Sequence, residues 1–157
     1  MSQLTKRNLR ILQVELGAGG AAYSAGDQVG AVLDLGVVAS VGAQIELVEL
    51  KAFDDAAQNA ELDVLLFKTA PADAGDNAAF VLSAADLDEL VVSGTLVAAD
   101  YNTVATRSVA SKAVGSVGVL TKSEVAGNGH LYMVVVAQGT PTYAANALRL
   151  QVVLQEN

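Results

Sequence analysis

Short apolar segments recur along the chain, each six to ten residues long and set off by Gly, Asn, Asp and Ser clusters. That rhythm predicts an all-β sandwich or barrel. The segments are Leu9 to Leu16, Gln28 to Leu35, Gln44 to Phe53, Leu62 to Lys68 and Val91 to Ala98. Thr106 to Lys112, Val117 to Lys122, His130 to Ala137 and Ala147 to Leu154 complete the set of eight or nine strands. The last alternates most cleanly: Leu148, Leu150, Val152 and Leu154 share one face, and Arg149, Gln151 and Val153 the other. In Gln44 to Phe53 the parity changes, because Ile45 and Leu47 oppose Val48, Leu50 and Ala52. Keeping both sets inward requires a bulge near residue 47.

Two segments are apolar on both faces. Leu62, Val64 and Leu66 oppose Leu65 and Phe67, and Leu131, Met133 and Val135 oppose Tyr132, Val134 and Val136. A sandwich has one inner face per sheet, so something must cover the other. Two readings stand: a loop or short helix of the same chain, or a subunit interface built from Leu65, Phe67, Tyr132, Val134 and Val136. One helix is predicted where Ser83 precedes Asp86 at capping-box spacing ahead of Leu87-Asp88-Glu89-Leu90-Val91. Gly17 to Gly20 and Gly26 mark turns, and Thr69 to Ala79, with Pro71, is the longest loop. The expected fold is an antiparallel, jelly-roll-like β-sandwich with one short helix, spanning residues 11–157 as a single domain behind a basic arm at 1–10.

A chain of 157 residues buries roughly 68–70% of its unfolded surface, enough for a core without staples. Cysteine is absent, which removes disulfides and thiolate metal sites. The net charge of −8 opposes nucleic-acid binding, which needs a basic stripe to neutralise phosphates. The charge is uneven: Lys6, Arg7 and Arg10 all precede the first acid, Glu15. No apolar stretch approaches the ~18–20 residues of a membrane span. Gln13 and Glu15 interrupt the apolar run behind the basic terminus, which a signal-peptide core would not allow. The expectation is a protein made in a cytoplasm.

Chemistry is sparse. His130, the single histidine, comes after Gly127-Asn128-Gly129 and reads as a turn residue, so a histidine triad or histidine metal centre is not expected. Gly17 to Gly20 lacks the subsequent helix that a phosphate cradle needs. Asp54 and Asp55, Asp73 and Asp76, and Asp86, Asp88 and Glu89 form acidic groups without calcium-loop spacing. Tyr23, Tyr101 and Tyr143 are the loop aromatics that a carbohydrate platform would need. Neither a cofactor nor enzymatic activity is expected.

Several stretches, taken in chain order, carry a resemblance. The first three are Tyr23-Ser24-Ala25-Gly26-Asp27-Gln28-Val29-Gly30, Asp54-Asp55-Ala56-Ala57-Gln58 and Leu62-Asp63-Val64-Leu65-Leu66-Phe67. The others are Asp76-Asn77-Ala78-Ala79-Phe80, Leu131 to Val136 and Gly139-Thr140-Pro141-Thr142-Tyr143. From Tyr23 to Leu154 the chain resembles the β-sandwich decoration (cement) proteins of tailed-bacteriophage capsids. The resemblance implies a homotrimer on the capsid exterior, with the major capsid protein as partner and no catalytic residues. A tail or head-fibre accessory component and a carbohydrate-binding adhesin module are the alternative readings. Lys6, Arg7 and Arg10 are the expected capsid contacts, with acids of a neighbouring subunit or a solvated, frayed terminus as the alternatives.

Overall fold

Alternating apolar positions fold the chain into two antiparallel sheets in a computed structural model, which describes residues 8–39, 42–119 and 129–156. The strands are β1 (Asn8–Glu15), β2 (Leu33–Val37), β3 (Gln44–Asp54), β4 (Leu62–Phe67), β5 (Leu90–Leu96), β6 (Tyr101–Val104), β7 (Arg107–Val119), β8 (His130–Ala137) and β9 (Leu148–Glu156). Sheet 1 has the order β1-β9-β3-β7-β6 and sheet 2 the order β2-β8-β4-β5. The pairs β1/β9, β2/β8, β3/β7 and β4/β5 nest inside one another, as if a long hairpin closed between β4 and β5 had been rolled over. That winding is the jelly roll. The all-β sandwich expected from the periodicity is therefore the fold observed.

The core lies between the sheets. Leu47, Leu50 and Ala52 of β3 and Leu148, Leu150, Val152 and Leu154 of β9 meet Leu62, Val64 and Leu66 of β4 and Leu131, Met133 and Val135 of β8. The parity change in β3 is accommodated as expected. Its register against both β7 and β9 shifts between Leu47 and Glu49, so Ile45, Leu47, Leu50 and Ala52 all point inward.

Three strand expectations are corrected. Gln28 to Leu35 is interrupted: Gln28 bridges Val136 of β8, the chain kinks at Gly30, and pairing resumes at Leu33. Gly30 has φ +72°, and a Cβ there would overlap the Leu16 carbonyl, so only glycine fits. Thr106 to Lys112 and Val117 to Lys122 are not two strands. One strand, β7, runs from Arg107 to Val119 through Gly115 at φ +67°, and residues 120–122 lie outside the described ones. The sequence pattern also gave no sign of β6, a four-residue strand joined to β7 by a tight turn with Ala105 at φ +57°.

The helix forms where expected. α1 (Ala84–Glu89) begins with the reciprocal cap in which the Asp86 N–H donates to Ser83 Oγ and the Ser83 N–H to Asp86 Oδ2. It ends at Leu90, where the chain passes directly into β5 rather than continuing through Val91.

Candidate functional site

The outward face of sheet 2 is covered by the chain itself. Phe67, Val134 and Val136 are buried in a second, smaller cluster, against which Val32, Leu65, Phe80 and Leu90 pack. Of the five residues assigned to a subunit interface, Phe67 and Val134 have no exposed surface and Val136 only 6%. A partner has no access to them, which corrects the interface expectation for these three. Leu65 and Tyr132 are half-buried. The alternative of a covering loop is the one observed, and Phe80 of the 68–83 connection is its apolar plug.

A polar network anchored on the buried Gln28 and Tyr23 fixes that cover. Gln28 is fully buried; its Nε2 donates to Asp73 Oδ1 at 2.6 Å and to the Gly30 carbonyl at 2.8 Å, while its Oε1 accepts the Ala74 N–H at 3.2 Å. Asp76 Oδ1 accepts from the Tyr23 hydroxyl at 2.6 Å and from the Gly30 N–H at 2.7 Å. The backbone adds Gln28 N–H to the Ala78 carbonyl and Phe80 N–H to the Gly26 carbonyl. At the other end of the loop, Thr69 Oγ1 donates to Glu89 Oε2 at 2.7 Å. Asp73 and Asp76 are thus staples between two loops. The Gln28 amide, and after it the Gly75 N–H, hold the Asp73 carboxyl below its ordinary range.

The tyrosines proposed as a carbohydrate platform are core residues. Tyr23 and Tyr143 are buried, with ring centroids 6.1 Å apart at 57°, and Tyr101 is half-buried with its hydroxyl sealed from solvent. They offer no stacking platform, because Tyr23 and Tyr143 turn from their loops into the core and Tyr101, the first residue of β6, packs against it. His130 sits at the start of β8, and its Nδ1 lies 3.0 Å from Asp34 Oδ1. Among the acids, Asp86 caps α1, Asp54 is fully buried in a turn, and Asp55 lies between Arg107 (3.4 Å) and Arg149 (3.5 Å). Among the described residues no three His, Asp or Glu side chains form a metal-binding group, and no helix is long and apolar enough to cross a membrane.

Exposed apolar side chains occur on the connection and helix that cover sheet 2, at Val81, Leu82 and Leu87, and on the opposite sheet. On the outer face of sheet 1, Leu9 and Ile11 of β1 are 55% and 61% exposed, and Val117 and Val119 of β7 are 54% and 47% exposed. The register aligns Leu9 with Gln155, Glu46 and Val117, and Ile11 with Val153, Glu49 and Ala113. Toward the other end, Glu15 aligns with Arg149, Phe53 and Val109, and Arg149 lies over the Phe53 ring at 5.5 Å. β1 closes this sheet and, among the described strands, is hydrogen-bonded only to β9. Such an edge, eight residues long and without proline, is a template for further pairing.

Of the cations assigned to capsid contact, Arg10 lies in β1 opposite Leu154 and is exposed, so the arm merges into the sheet before residue 11. Lys6 and Arg7 lie outside the described residues. The surface on sheet 1 was not anticipated from the sequence, although a signal was present. Leu9 and Ile11 have the opposite parity to Leu12 and Val14, so β1 is apolar on both faces just as β4 and β8 are.

A scan against protein-family models matches nothing, and a search of curated proteins likewise returns no match.

Proposed function

We propose that this protein is a virion structural component that binds the exterior of an assembled bacteriophage capsid as a homotrimer and stabilises the shell. The observation that carries the reading is the edge strand β1, its outer side unpaired among the described strands, with exposed Leu9 and Ile11 on the same outer face of sheet 1 as the exposed Val117 and Val119 of β7. An unpaired strand edge that carries exposed apolar side chains offers a protein partner both backbone pairing and apolar contact. The acidic balance keeps a many-copy protein soluble and disfavours nucleic acid. The jelly-roll winding suits the same role, since it holds both sheets rigid while leaving one face free. Three linked subunits turn weak shell contacts into an avid attachment, a gain of about 10²–10⁴-fold without new contacts. Lys6, Arg7 and Arg10 supply further contacts, to acids of the major capsid protein.

Co-sedimentation with capsid shells lacking the protein tests this reading. Wild-type protein should pellet with the shells, and Ile11→Asp/Val117→Asp should remain in the supernatant while keeping its melting temperature. A wild-type protein that stays soluble beside such shells, or a double variant that pellets equally well, contradicts it.

A further inference from the structure

The end of the core where β3 leaves sheet 1 gathers polar groups that the fold does not satisfy. Asp54, fully buried, closes a turn in which its Oδ1 accepts the Ala56 N–H and its Oδ2 the Asn59 N–H, both at 2.9 Å. Asn59 is held in the left-handed region at φ +51°, and its Nδ2 donates to Thr103 Oγ1 at 3.3 Å. Thr103 in turn shares a hydrogen bond of 2.9 Å with the buried Ser108. Three atoms sealed from solvent have no hydrogen-bond partner among the described residues: Asn59 Oδ1, Tyr101 Oη and Tyr143 Oη. Tyr143 is itself wholly buried.

The three lie on adjoining segments. Asn59 bonds Thr103, two residues from Tyr101 on β6. The Thr142 N–H, next to Tyr143, donates to Gln58 Oε1, next to Asn59, at 3.2 Å. Asn59 is bonded to Asp54. Burial, and after it the Asp54 charge, pushes the Tyr101 phenol above its ordinary range. Burial is again the main cause for Tyr143, with Tyr101 and Asp54 adding to it. Both phenols are therefore neutral O–H donors at any physiological pH, and both need an acceptor. Asn59 Oδ1 needs a donor. Asp54, with one N–H on each oxygen, retains lone pairs. Orphaned polar groups in a core cost more than a made hydrogen bond returns, so they are normally paired with protein or with ordered water.

We propose that this end of the core binds an ordered water molecule that accepts from the Tyr101 and Tyr143 hydroxyls and donates to Asn59 Oδ1 and the Asp54 carboxylate. Water alone has the required valence. A cation offers the phenols no acceptor, and an anion would sit beside the buried Asp54 charge. Two donors and two acceptors match the four groups, within the 2–4 partners usual for a buried water. Its consequence is mechanical, because the bound water joins the β3–β4 turn, the start of β6 and the β8–β9 connection.

The unmodified protein suffices for the test. A crystal structure at about 1.5 Å or better should show one solvent peak at hydrogen-bond distance, roughly 2.6–3.2 Å, from both phenol oxygens. In solution the Tyr143 hydroxyl proton should show a nuclear Overhauser contact to water, lost in Tyr143→Phe with the sheet resonances retained. Phenols bonded directly to Asp54 or to each other with no solvent between them would overturn the proposal. So would a peak with the short contacts of a metal ion, or a Tyr143 hydroxyl silent toward water.

Discussion

The Tyr23 hydroxyl donates to Asp76 Oδ1 at 2.6 Å, joining residues 53 positions apart in the chain. The same phenol oxygen accepts the Gly19 N–H at 3.3 Å, and the same carboxylate oxygen accepts the Gly30 N–H at 2.7 Å. One contact thus ties the β1–β2 connection to the loop that covers sheet 2. Tyr23→Phe removes the hydroxyl and leaves Asp76 with the Gly30 N–H alone. The expected cost is about 1–3 kcal/mol in urea unfolding, with faster amide exchange at Gly30. Unchanged exchange at Gly30 would show that the contact does not hold the loop.

Asp73 makes the cover sensitive to acid. Its carboxyl is acidified on folding, chiefly by the Gln28 amide and then by the Gly75 N–H. A group whose folded pKa is depressed contributes stability that is present above the unfolded pKa and lost as pH falls through the folded one. The loop should therefore loosen as pH drops below the ordinary aspartate value of 3.8. In Gln28→Ala, a carboxyl NMR titration should find Asp73 moved up toward that value. An unshifted Asp73 would remove Gln28 as the cause.

Val134 separates intramolecular cover from intersubunit packing. Its side chain is sealed by the chain's own residues, with Phe67, Val32 and Phe80 in the same cluster. Val134→Asp buries a charge without a partner and should destabilise the subunit itself by several kcal/mol, on the order of 3–5. Thermal unfolding measured at two protein concentrations checks this. A folded variant of unchanged melting temperature that has merely dissociated would place Val134 in an interface.

Local rules made much of the fold legible. The parity change in Gln44 to Phe53 announced the bulge, and the Ser83/Asp86 spacing announced the cap, because both depend on neighbours in sequence. Contacts between distant segments were less readable. That Val134 is covered by Phe80, and that Tyr23 and Tyr143 turn inward, depends on where two loops land after the sheets have formed. Gly115 reads as a break between strands, yet at φ +67° it takes the backbone through an irregularity within a single strand. The candidate surface was hidden for a different reason. Leu9 and Ile11 resemble core positions by composition, and their place on the outward face of sheet 1, opposite in parity to Leu12 and Val14, leaves them exposed.

The basic terminus offers a separable contribution. Arg10 is fixed in β1, so deleting Met1 to Arg7 should leave the sandwich intact. If Lys6 and Arg7 reach acids on the shell, the truncated protein should attach more weakly and with less dependence on salt. Exposed ion pairs contribute only ~0.2–1 kcal/mol each, so single substitutions are a poor substitute for the deletion. A truncated protein with unchanged attachment and salt response would remove the arm from the binding surface.

The most direct measurement is an electron cryomicroscopy reconstruction of virions carrying the gene, compared with virions from which it has been deleted. The account predicts density for three jelly-roll subunits on the outside of the shell, with sheet 1 toward a protein partner, and its loss in the deletion. Identical capsid exteriors in the two reconstructions would contradict it.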